Sequence, residues 1–193
     1  MTDEHIGERH QTSPTARLAA ANRMREALKD RAGLSPISEA AAAFFFELFD
    51  ADVCAITLLR GGEYRKLTTI GEGSPGQVLH DIWQPYPTST YTELTDVLKS
   101  GRGFVASLGN DGGVPETQVL LRKLGKGSCV GAPIMHRSDV VGEVFVSRMA
   151  GRHGFTGRDL ALALDLSRQL GFRLGPAVIA YDDAHPEWWP IAK

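Results

Sequence analysis

Little in this sequence marks it for a special environment. Only two cysteines, Cys54 and Cys129, occur in 193 residues, and both lie inside apolar runs. They read as buried reduced thiols rather than a disulfide framework. No apolar stretch reaches the roughly 18 residues that a membrane span needs. The polar, acidic start at Met1–His10 is no secretory signal. Net charge is −2, from 21 Lys and Arg against 23 Asp and Glu, so neither a basic footprint for nucleic acid nor an acidic mimic is present. P-loop, HExxH, GxSxG and CxxC patterns are all missing. What is there is globular: 42% apolar and 23% charged residues. The chain is long enough to bury roughly 70% of its unfolded surface with no disulfide or metal. A soluble cytoplasmic protein with no membrane or nucleic-acid partner is expected.

Periodicity then orders the chain. Residues 1–13 lack an apolar pattern and read as a tail, which makes His5 and His10 poor metal ligands. Ser13-Pro14 opens a helix with Leu18, Ala21, Met24 and Leu28 as its stripe, ended by Gly33. Ser35-Pro36 opens a second, running from Ile37 to Phe49. Phe44, Phe45 and Phe46 cannot share one side of it, so it is covered on more than one side. Val53–Arg60 and Tyr64–Ile70 form a hairpin about Gly61-Gly62. Residues 71–89 are rich in Gly, Pro and Ser, with a short helix near Gln77–Trp83. A helix at Thr90–Ser100, a strand at Gly103–Leu108 and a helix at Glu116–Leu124 follow. Ser128–His136 and Val140–Arg148 form a second hairpin. The last helix starts from a capping box at Thr156–Asp159. Its stripe is Leu160, Leu164, Ser167, Leu170 and Leu174, with Leu162, Leu166 and Phe172 off it, and Gly175-Pro176 ends it. This is an α+β layout, a single domain over 14–175 followed by a tail at 176–193.

Chemistry-bearing candidates are few. Gly71-Glu72-Gly73-Ser74-Pro75-Gly76 matches G-x-G-x-x-G, but the strand before it belongs to a hairpin and Pro85 cuts short any helix after it. A flexible loop fits better than a dinucleotide site. Cys129 and His136 sit seven residues apart on a strand, roughly 23 Å and on opposite faces, which excludes a nucleophile–base pair. Cys54 can approach Cys129 from a neighbouring strand, as a redox pair or as filler. His80, Trp83, Tyr86 and Tyr91 suit either a pocket for a planar ligand or a cluster pinning a long loop. Arg122, Lys123 and Lys126 end a short helix, where cations complement its dipole and an anion can bind.

The stretch GSCVGAPIMHRSDVVGEVFVSR followed by FTGRDLALALDLSRQLG resembles the C-terminal half of a GAF domain. Ala132-Pro133-Ile134, the turn at Arg137–Asp139, Gly142 and Phe155-Thr156 carry the likeness, and the upstream order fits over roughly residues 15–175. The resemblance implies an antiparallel sheet of about six strands. Terminal helices would lie on one face, with a pocket on the other covered by the variable middle segment. It also implies a non-catalytic sensor that binds a small molecule and signals through its terminal helices. The N-K-F-D-E set of the cyclic-nucleotide branch is absent. Residues 55–128 hold no cysteine for the bilin branch or for the branch that reduces free methionine sulfoxide.

The cofactor stays unidentified. The contacts expected in the pocket, built from residues 78–107, are His80, Trp83, Tyr86, Tyr91 and Ser107. The alternative is a small redox or haem protein using Cys129 or His80. No kinase, cyclase or helix-turn-helix is attached, so a separate output protein is expected. A homodimer through the terminal helices is expected too, since Leu162, Leu166 and Phe172 call for cover.

Overall fold

The computed structural model describes residues 13–71, 86–110 and 113–185. Two helices come first, α1 (Pro14–Leu28) and α2 (Leu34–Leu48). A hairpin of β1 (Val53–Arg60) and β2 (Glu63–Gly71) follows. Then come a two-residue strand β3 (Tyr86–Pro87), a 3₁₀ turn at Thr88–Tyr91, α3 (Thr92–Lys99), β4 (Phe104–Ser107) and α4 (Pro115–Leu124). The chain closes with β5 (Lys126–His136), β6 (Asp139–Met149) and the long α5 (Gly157–Ala184). Among the described residues the strands make one six-stranded sheet in the order β3-β2-β1-β6-β5-β4, and every pairing is antiparallel. The fold is α+β, as the element pattern requires.

Local chemistry sets most boundaries. Ser13 Oγ accepts the Ala16 N–H at 3.1 Å to start α1. Gly61 and Gly62 both take positive φ, 57° and 81°, which suits a two-residue hairpin turn. Thr156 and Asp159 form the reciprocal capping box, with the Thr156 N–H donating to Asp159 Oδ2 at 2.7 Å. Pro133 is tolerated inside β5 because β4 pairs only as far as Gly131, so no neighbour on that side asks for its missing N–H.

α2 and α5 cover one sheet face, and α1 packs on those two helices. Their core takes Met24, Leu28, Phe45, Leu166, Leu170 and Leu174 against Cys54, Ile56, Leu58, Val130, Ile134 and Val144. The three consecutive phenylalanines do point to different partners. Phe45 stacks on Phe49 at 5.8 Å, Phe44 lies under Arg23, and Phe46 reaches Gly71 at the end of β2. α1 and α5 run side by side in one direction: Arg17 bonds Asp165, and Arg173 Nη2 donates to the carbonyls of Leu28, Lys29 and Arg31 at 2.9–3.0 Å. Those are the orphan carbonyls of a helix end, and a guanidinium is well suited to them.

Four expectations need correcting. α2 begins at Leu34 behind Gly33 rather than at Ser35-Pro36. α5 does not stop at Gly175-Pro176 but runs on to Ala184. Gly171 and Gly175 are there for close packing: a Cβ at Gly171 would meet the Met135 carbonyl at 1.7 Å, and one at Gly175 the His136 ring at 2.2 Å. Pro176 faces outward, while Val178 and Tyr181 continue the stripe onto the core. Leu162 and Leu166 are not surplus, because the chain's own core buries them to 6% and 0% exposure. Leu18 leaves the α1 stripe and is exposed, and Ala20 takes the inner position.

Candidate functional site: a polar sheet face under α3 and α4

The face opposite the terminal helices is covered, among the described residues, by α3 and α4. Leu94, Leu98 and Leu121 of those helices pack on Leu59, Tyr64, Phe104, Ala106 and Cys129 of the sheet. The cover is held by side chains spent on backbone. Glu116 Oε2 accepts the Leu94 N–H at 3.1 Å, so the first turn of α4 caps α3. Gln118 Nε2 donates to the carbonyls of Ser107 and Asn110, both at 3.0 Å. Thr95 Oγ1 donates to the Tyr91 carbonyl at 2.7 Å, and the Tyr64 hydroxyl donates to Thr95 Oγ1 at 3.0 Å. Tyr64 thus ties β2 to α3.

Strand register puts an unusual number of polar groups on this same face. Thr57 stands opposite Glu143 on one side and Lys66 on the other. Directly opposed residues share a face, so Glu143, Thr57 and Lys66 form a row across β6, β1 and β2. In the same sense Cys129 stands opposite Ser147, and Thr69 opposite Ala55. Ser147, Thr57 and Glu143 are all buried. The Ser147 and Thr69 hydroxyls are sealed from water and have no hydrogen-bond partner among the described residues. Unpaired buried polar atoms are costly and rare in finished cores. Burial pushes the Glu143 carboxyl up to about 8. Gly131 makes room for it: a Cβ there would meet the Phe104 ring at 2.2 Å and Glu143 Oε1 at 2.6 Å.

Of the expected pocket residues, Tyr91 packs at the edge of this cluster, with the Lys123 ammonium 6.0 Å from its ring centroid. Ser107 stands elsewhere: Phe104 and Ala106 face α3 and α4, whereas Val105 joins the helix side and Ser107 abuts Gly154. His80 and Trp83, the short helix near Gln77–Trp83 and most of the G-x-G-x-x-G segment lie outside the described residues, as does the Tyr86 side chain. The row Glu143–Thr57–Lys66 escaped the sequence reading. Its one signal was the acid inside the apolar run VVGEVFV, and alternation alone cannot say what an inward-pointing acid faces.

The cysteines separate. Cys54 joins the core under the terminal helices and Cys129 the cluster under α3, with β6 between their strands, so they cannot pair. Burial raises both thiols well above the ordinary range, and the nearby Glu143 adds to the rise at Cys129. Neither is poised as a thiolate. His136 Nδ1 meets the Gly171 carbonyl at 3.2 Å on the helix side, away from Cys129, as the odd spacing required. Lys126 does not join Arg122 and Lys123: it begins β5, is buried, and places Nζ 3.3 Å from Met149 Sδ. A shallow depression of about 270 Å³ lies at the hairpin tips, lined by Arg60, Gly61, Lys99 and Asp139 among others. No three His, Cys, Asp or Glu among the described residues are grouped to hold a metal. No described helix is long and apolar enough to cross a membrane.

Comparison with known proteins agrees with this architecture. The GAF domain family model matches residues 33–174, and the chain belongs to that family. No curated protein matches. Among solved structures, the chain is similar to the GAF domain of an Acinetobacter phosphoenolpyruvate-protein phosphotransferase. The two share 19% identity at a TM-score of 0.63, over 86% of this chain and 97% of that one. It is also similar to a GAF domain/HD domain protein from Geobacter sulfurreducens, at 16% identity and a TM-score of 0.60, over 74% of this chain and 93% of that one. A third is the phycoerythrobilin-bound GAF domain of a cyanobacterial phytochrome, at 13% identity and a TM-score of 0.67, over 86% and 97%. At these identities the likeness is one of fold.

Proposed function

We propose that the chain is a non-catalytic sensory domain that holds a small molecule against the face under α3 and α4. The observation that carries this reading is the set of buried groups on this face with no partner among the described residues, the Ser147 and Thr69 hydroxyls above all. A ligand supplies what the fold leaves unpaired. Occupancy then bears on β1, β5 and β6, whose opposite sides carry α2 and α5 with α1 packed on them, and these helices pass the signal to an output protein. Native mass spectrometry of the protein from its own host tests this. A bound small molecule, released on denaturation, is the expected result, and a bare mass of the polypeptide in every preparation counts against it.

Bilin attachment through the middle segment is disfavoured, since residues 55–128 hold no cysteine. Redox chemistry at Cys129 draws no support from a thiol so buried. Haem ligation by His80 is tested by a visible absorption spectrum. Two buried unpaired thiols suit the reducing cytoplasm. A homodimer belongs to the same proposal, now through Phe172 and Ile179, which are 74% and 42% exposed and share a helix face at i, i+7. Sedimentation of the parent and Phe172→Glu checks it. A monomeric parent removes the dimer.

A further inference from the structure

Resting on the reading of this face as a ligand site, we propose that its ligand is an organic cation with an apolar body, an amine, amidine or guanidine, seated with its positive charge on the Glu143 carboxyl. Glu143 is 8% exposed on β6, a strand with neighbours on both sides. Among the described residues no hydrogen bond or ion pair reaches its carboxyl, so a charge on it has nothing to lean on. Among the described residues, the groups around it do not supply a cation. From β2, the Tyr64 hydroxyl is committed to Thr95, and Lys66 stands beyond Thr57 on a strand nearer the sheet edge, half-buried, with burial disfavouring its own charge and no ion pair to Glu143. From β5 comes only the Cys129 thiol, and the charged groups on α3 and α4 that act on Tyr64 are the acids Asp96 and Glu116. Glu143 is thus a buried acid that faces, among the described residues, no compensating charge, and an anionic ligand would meet it as a like charge.

The walls match a cation with a greasy body. Phe104 packs over Gly131 beside the carboxyl, and Leu59, Leu98 and Phe145 belong to the same cluster. Aromatic rings welcome organic cations as well as apolar surface. In the empty site burial keeps the carboxyl protonated near neutrality. A cation reverses that balance, so the ligand enters with its charge, the Glu143 proton leaves to solvent, and affinity rises with pH.

The test is isothermal titration calorimetry of the whole chain with benzamidine and phenethylamine, and with the neutral and anionic counterparts benzamide and benzoate. Each is run near pH 7 in buffers of different ionisation enthalpy. Expected are binding of the two cations, at least tenfold weaker binding of benzamide and benzoate, and release of close to one proton per cation bound. Glu143→Gln should weaken the cations at least tenfold and abolish proton release, while melting no lower than the parent. Three results overturn the assignment: benzoate or benzamide binding as tightly as the cations, cation affinity unchanged in Glu143→Gln, or no binding of any of the four at millimolar concentration. A ligand found by native mass spectrometry that proves neutral or anionic would overturn the charge assignment and leave the sensor reading standing.

Discussion

Replacing Glu143 by Gln should stabilise the empty protein, by an amount that depends on pH. The side chain keeps its shape and loses its ability to ionise. In the folded chain burial raises the carboxyl from the ordinary 4.5 to about 8. Below the ordinary value both folded and unfolded chains hold the proton, and ionisation costs nothing. As pH climbs, the unfolded chain gives up its proton while the folded chain keeps it. Parent stability falls by about 1.4 kcal/mol for each pH unit in that window. Near neutrality the accumulated loss is ~3 kcal/mol, rising to ~5 kcal/mol at the upper limit, beyond which both states ionise and the slope vanishes. Glu143→Gln has no such term. For a chain of this size ~3 kcal/mol corresponds to a melting temperature higher by roughly 6–12 °C. Calorimetric melts of parent and variant from pH 4 to 9 show whether the two curves diverge upward through this range. Parallel curves, or a variant that melts lower at pH 7.5, would refute the view of Glu143 as an uncompensated buried acid.

Other consequences are quicker to check. Gly131→Ala should cost about 1–3 kcal/mol, read by urea unfolding, because its methyl group falls on the Phe104 ring and Glu143. Arg173→Leu strips three carbonyls of α1 and its following turn of their donor. The loss should be about 1–3 kcal/mol, with faster amide exchange at the end of α1. Both thiols should resist Ellman's reagent in the folded protein and react only after denaturation. One fast-reacting thiol would contradict the placement of Cys54 or Cys129.

Sequence alone determined the parts of this protein that depend on neighbours along the chain. The Ser13 cap, the Gly61-Gly62 turn and the Thr156–Asp159 box are local hydrogen-bonding or backbone problems with local answers. Apolar runs around short turns, at Gly61-Gly62 and at Arg137–Asp139, likewise exposed the hairpins, and the second of them, with the helix after it, the family resemblance. Tertiary structure decided the rest. Gly175-Pro176 has the grammar of a helix stop, yet the strand end at Met135–His136 presses on Gly171 and Gly175 and the helix continues past them. Leu162 and Leu166 looked surplus because one stripe was counted against one partner, whereas α5 lies against both the sheet and the neighbouring helices. The row Glu143–Thr57–Lys66 has members from three strands scattered along the chain, and only register lines them up. Burial of an acid and the absence of a partner for it among the described residues are properties of that assembled surface, so no reading along the chain could supply them.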